Sequence, residues 1–112
     1  MTEDALQIAT ANILDYTGLI WTHVPNGGKR NLLVAIKLKR MGTKAGVPDI
    51  LIFNPAGQYV GVAIELKVDK GKTSDKQKQW LNDLTQCGWA CHVCRSIEQV
   101  IDAVKIYYPK HL

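Results

Sequence analysis

The sequence lacks what marks a membrane or secreted chain. No apolar run approaches the ~20 residues needed to cross a bilayer. The opening stretch MTEDALQ has acids where a signal peptide would have basic residues, so a cytosolic protein is expected. Three cysteines, Cys87, Cys91 and Cys94, are an odd number, and in a cytosolic chain they give no reason to expect disulfides. Repeats, low-complexity tracts and linker-like stretches are absent as well. A single domain over residues 1–112, with one core, is the expectation at this length.

Acidic residues are missing from one long stretch. Residues 29–44 hold Lys29, Arg30, Lys37, Lys39, Arg40 and Lys44 with no acid among them. Residues 67–78 add Lys67, Lys70, Lys72, Lys76 and Lys78 against Asp69 and Asp75. The formal net charge of +4 is modest, but most of it brackets one part of the chain. Such a rim is either solvated surface or what a phosphate-backbone binder needs. The three cysteines and His92 are soft ligands close in sequence, yet WACHVCR reads as a strand. His92 and Cys94 would then face one side and Cys91 the other, which argues against structural zinc.

Thr2 can cap a helix over EDALQIATANILDYT, which Gly18 ends. LIWTHV follows as a short strand with His23 in the core, then a PNGGKR loop and NLLVAIKLKRM, a helix with a basic side. VPDILIF and YVGVAIELK form a hairpin around NPAGQ, Ser74 caps DKQKQWLNDLTQC, and Gly88 ends it. WACHVCR is the last core strand, and Ser96 caps IEQVIDAVKIYY. The order predicts a small α/β sheet with helices on both faces. Trp21, Trp80 and Trp89 follow core periodicities more readily than a base-stacking platform.

Two apolar, strand-like runs carry charge: Asp49 in GVPDILIF, and Glu65 and Lys67 in IELK. A buried charge costs several kcal/mol unless it is paired or bound to metal. Glu65 and Lys67 are two apart, so they share a face of their strand. With a loop of Ala56-Gly57-Gln58 closed by Pro55 and Tyr59, Asp49 falls opposite Glu65; a slip of one residue would put them on opposite faces. Facing carboxylates reward a hard divalent cation such as Mg²⁺, and the Leu66 backbone carbonyl could add a ligand. Lys67 could then orient or deprotonate an attacking water, or stabilise transition-state charge. The competing reading is a plain ion pair of Lys67 with Glu65 or Asp49 at a sheet edge.

Pro48-Asp49 followed by Glu65-Leu66-Lys67 resembles the PD-(D/E)xK nuclease superfamily. The fold this implies is a restriction-endonuclease-like core, a central mixed sheet flanked by helices. VPNGGKR, GTKAGVPDILIF, AIELKVDKGKTSDKQKQWLNDLTQCGW and the closing strand and helix are more specifically similar to the VRR-NUC family. The VRR triplet is not evident, and HVCRS, with Val93 and Arg95, stands in its place. The resemblance implies a metal-dependent DNA endonuclease using Mg²⁺ or Mn²⁺, with Asp49 and Glu65 as metal ligands and Lys67 catalytic. It places an acid of the first helix near the metal; Glu3 matches, with Gln7 one turn on and Asp4 as fallback. A Glu3 that merely complements the helix N-terminus is the alternative.

The same match puts Gln77 in the active site, although Ser74-x-x-Gln77 is also a capping box. Motif and chemistry together suggest phosphate contacts from Asn26, Lys29 and Arg30, with Lys44, framed by Gly42 and Gly46, and Lys37, Lys70 and Lys72 in the basic rim. Branched DNA such as four-way junctions or flaps is the implied substrate, and a homodimer the implied assembly. The reading from another class is a non-catalytic DNA-binding module or assembly subunit that keeps the nuclease fold.

Overall fold

A computed structural model describes residues 1–25 and 30–112. Helix α1 (Glu3–Thr17) begins where the Thr2 side chain accepts the Ala5 amide at 3.0 Å, and Gly18 ends it. Leu6, Thr10 and Leu14, spaced by four, form its buried stripe. The Thr10 hydroxyl is buried at no cost in lost hydrogen bonding, because it donates to the Leu6 carbonyl at 2.8 Å. Strand β1 (Trp21–His23) leads to α2 (Leu32–Arg40), which is capped by Asn31. Then come β2 (Ile50–Ile52), β3 (Val62–Leu66), α3 (Asp75–Gln86), β4 (Ala90–Cys94) and α4 (Ile97–Tyr107). The expected order of elements is therefore the observed one. No helix among the described residues is long and apolar enough to cross a membrane.

The sheet runs β1-β2-β3-β4, antiparallel across the first two pairs and parallel between β3 and β4. It is a mixed sheet, and its central strand β3 is buried along its whole length. Alternation divides β3 between two layers. Val62, Ile64 and Leu66 join Ile50, Ile52 and residues of α1 and α4 in the main core. Ala63 and Glu65 face the other way, toward the layer where α3 begins.

The hairpin reaches the expected register by a different route. Its tip is a two-residue turn, Gly57-Gln58, with reciprocal Ala56–Tyr59 backbone hydrogen bonds of 3.0 and 2.9 Å. Gly57 has φ 58°, as a type II′ turn requires at its first central position. Pro55 and Tyr59 therefore do not close the loop. Between that pair and Ile52↔Val62 lie residues 53–55 on one side and 60–61 on the other, one extra residue on the first arm. This bulge restores the pairing Ile50↔Ile64, so Asp49 stands opposite Glu65.

One other expectation changes. His23 lies in the edge strand and is exposed, not in the core. Helix α2 forms, but none of its residues is buried. Leu32, Leu33 and the following Met41 are 74%, 79% and 72% exposed.

Candidate active site

Asp49 is held from both ends. Its backbone carbonyl accepts from the Val24 amide at 2.9 Å and from the ring Nδ1 of His23 at 2.8 Å, so that nitrogen carries the proton. Its side-chain Oδ2 accepts the Leu66 amide at 2.7 Å. The residue that would pair with Leu66 if the ladder continued is Pro48, before β2 begins, and the Asp49 carboxylate supplies the acceptor there instead. A residue's N–H and C=O leave a strand on the same side, so the Leu66 carbonyl also points toward Asp49.

Glu65 is 2% exposed. Its Oε1 accepts from Gln77 Nε2 at 3.2 Å, while its buried Oε2 has no hydrogen-bond partner. Burial first, then the neighbouring Asp49 carboxyl, push the Glu65 carboxyl up to about 9. The Lys67 charge works against that rise, and Glu3 adds slightly to it. The carboxyl oxygens of Asp49 and Glu65 and the Leu66 carbonyl are hard donors, the kind that could hold a divalent cation.

Glu3 occupies the first position of α1, is exposed, and is felt by Glu65 only as the weakest charge. Among the described residues no three His, Cys, Asp or Glu side chains are gathered to hold a metal. The structure thus assembles two carboxylates and leaves Glu3 outside that pair; Asp4, next to it, is exposed too. Cys87 is exposed, Cys91 half-buried and Cys94 buried, all as free thiols.

Gln77 forms the capping box and also reaches Glu65. Its Oε1 accepts the Ser74 amide at 2.7 Å while its own amide donates to Ser74 Oγ at 3.2 Å, which completes the capping box. The same carboxamide turns its Nε2 toward Glu65. One side chain starts α3 and holds a site carboxylate. Gly46 makes this packing possible. A Cβ there would lie 2.8 Å from the Lys76 carbonyl carbon and 3.0 Å from the Gln77 nitrogen, and its φ of 87° is left-handed.

Half-buried Lys67 leaves β3 on the Glu65 face, its amide donating to the Cys94 carbonyl at 3.1 Å. The loop behind it, with Lys70 and Lys72, turns at Asp69, whose φ is 50°. Arg95 Nη1 donates to the Asp69 carbonyl at 3.2 Å and so ties that loop to the end of β4. Arg30, Lys37, Lys44 and Lys72 are exposed, as is Lys70. Asn26 and Lys29 lie outside the described residues. Sequence reasoning did not single out His23 and Arg95 as backbone anchors, or Lys76 with Trp80 as the lining of a cleft beside Lys44. The one signal for the last pair was their spacing of four, which puts them on one face of α3.

Comparison with known proteins agrees with this architecture. No curated protein matches the chain significantly. A solved structure described as a "VRR_NUC domain protein" is 30% identical, covers 97% of this chain and 89% of its own, and superposes with a TM-score of 0.79. The family profile for the VRR-NUC domain matches residues 1–98, a span that takes in both carboxylates, Lys67 and Gln77. The chain belongs to the VRR-NUC family of nuclease-type domains.

Proposed function

We propose that this protein is a divalent-metal-dependent DNA endonuclease. One observation carries the reading: Asp49 and Glu65 face each other across the hairpin, with a buried, unpartnered Glu65 oxygen beside Lys67. Asp49, Glu65 and the Leu66 carbonyl would hold Mg²⁺ or Mn²⁺, which when bound supplies Lewis acidity at the scissile phosphate. Gln77 fixes Glu65 in place. Lys67 orients the attacking water and stabilises the negative charge that grows on the phosphate oxygens; as the water oxygen bonds to phosphorus the ester P–O bond breaks, and the proton the water loses is taken up, through solvent, by the departing ester oxygen. The basic residues flanking α2, with Lys70 and Lys72, bind the backbone of the DNA.

No base-reading element is evident among the described residues, which supports discrimination by DNA shape, with four-way junctions and flaps as the proposed substrates. A symmetric junction needs two cuts, and the chain carries one Asp49/Glu65/Lys67 set, so a homodimer completes the enzyme. Sedimentation that finds only monomer with and without DNA removes that assembly.

The test is cleavage of labelled four-way junction, flap and linear duplex DNA with Mg²⁺ or Mn²⁺, beside Asp49→Ala. Cuts in branched DNA that vanish without metal, and that fall on the order of 10³-fold in the variant, support the enzyme. Binding without cutting under either metal would make the protein a non-catalytic DNA-binding module.

A further inference from the structure

Lys67 has a second cation beside it. Strands β3 and β4 run parallel with Leu66 opposite Cys94, and one residue further on the Lys67 amide donates to the Cys94 carbonyl at 3.1 Å. That step sets Lys67 beside Arg95, one strand spacing of ~4.8 Å away. Alternation puts both on the face of the sheet that carries Glu65. The 3.2 Å hydrogen bond from Arg95 Nη1 to the Asp69 carbonyl agrees, because Asp69 lies in the crossover from β3 to α3, which leaves the sheet on that face. We propose that Arg95 is a phosphate-binding residue, which grips the phosphate of the substrate strand next to the one that is cut. The inference rests on the nuclease reading and deepens it by giving the strand a second point of attachment.

This face of the sheet is laid out in two rows. Asp49 and Glu65 form one row across β2 and β3. Lys67 and Arg95 form the next across β3 and β4, two residues or ~6.6 Å further along the strands. Like charges side by side on neighbouring strands cost stability. Among the described residues the Arg95 guanidinium bonds to a carbonyl, not to a carboxylate that would offset that cost. An anion lying along the cation row does offset it, and a nucleic-acid strand brings one negative charge per nucleotide. Arg95 stands one strand farther from Asp49 than Lys67 does. Lys67 therefore meets the scissile phosphate, and Arg95 meets its neighbour.

The side chain is also prepared for this contact. Its backbone amide donates to Gln99 Oε1 at 2.7 Å, which fixes the start of the side chain against α4. Its Nη1 is tied to Asp69 at the other end, which fixes the plane of the fork. A guanidinium has five N–H donors, so one spent on a carbonyl leaves enough for two phosphate oxygens. An exposed arginine held at both ends loses less freedom on binding than a free one.

The experiment is fluorescence anisotropy in EDTA on a labelled four-way junction that carries one neutral methylphosphonate linkage at a time. Neutralising the phosphate that Arg95 holds should weaken wild-type binding about tenfold, the scale of one hydrogen bond to a charged group. Arg95→Met should bind the unmodified junction about tenfold more weakly, with a slope of log K against log salt smaller by about one. It should lose nothing further at that one linkage, whereas Arg95→Lys should keep the wild-type slope. An Arg95→Met protein that binds as tightly as the wild type overturns the contact. So does one weakened equally whichever linkage is neutral, the result expected if Arg95 only ties down the Asp69 loop. Cleavage with Mg²⁺ or Mn²⁺ then locates the cut, which should fall one nucleotide from the sensitive linkage; a cut at that linkage itself overturns the assignment to the neighbouring phosphate. A wild type that shows the linkage-specific loss yet cuts nothing sinks the nuclease reading alone. One that cuts as fast and binds as well after Arg95→Met sinks the phosphate contact alone.

Discussion

Strand β3 and helix α2 are built on opposite terms. Every residue of β3 is buried, and ladders on both sides set its register. Helix α2 buries none of its residues and presents Leu32 and Leu33 to solvent beside Lys37 and Arg40. Groups that must meet a reacting phosphate to a fraction of an ångström gain from the first design. Groups that follow a deformable polyanion need reach and charge, which the second provides. The loop after α2 meets α3 at Gly46, which packs on its first turn, and at the Trp80–Ala45 hydrogen bond.

The sharpest break comes at Glu65. Its carboxyl stands at about 9 in the folded protein against an ordinary 4.5. Below 4.5 the group is protonated in the folded and unfolded chain alike, and its burial carries no charge penalty. As pH rises from 4.5 toward 9 the unfolded chain releases a proton that the fold retains, so stability falls through that window, by up to about 1.4 kcal/mol per pH unit. Urea unfolding in EDTA between pH 5 and 8 should show the decline, and Glu65→Gln should flatten it.

Gly46→Ala attacks the joint between the two regions. The added Cβ meets the α3 backbone in a left-handed conformation, so a loss of about 1–3 kcal/mol is expected in thermal or chemical denaturation. Gln77→Glu separates the two duties of one residue: an acceptor for the Ser74 amide remains, whereas the Nε2 donor to Glu65 is lost. Unfolding stability should fall by less than the ~1 kcal/mol of a lost cap, and cleavage should fall by a larger factor than stability predicts. Leu33→Ser should have the smallest effect, within about 0.5 kcal/mol in urea, because that side chain gains little from the fold.

Much of this was legible where local chemistry decides. Thr2, Ser74 and Ser96 cap the helices they were expected to cap, since the hydroxyl and the orphan amides lie within three residues of each other. The facing of Asp49 and Glu65 was legible for a weaker reason. The proposed loop was wrong, and the bulge after Ile52 compensated for it. His23 was misplaced because alternation cannot tell an edge strand from a central one; only the order of strands does. The exposure of α2 was hidden for a similar cause, as an apolar periodicity names a face without naming what covers it. Gln77 looked like a choice between roles because motifs are read one at a time, whereas a carboxamide has a donor and an acceptor to give.

The bulge in the hairpin acts as an expansion joint. Pairing shifts by one residue between Ala56–Tyr59 and Ile52–Val62, so the length of the tip and the alignment of the two carboxylates are separate variables. A residue gained or lost at the tip can be taken up there, while the neighbours of β3 on both sides keep Asp49 opposite Glu65. The part of the hairpin most open to change is thereby insulated from the part that can least tolerate it.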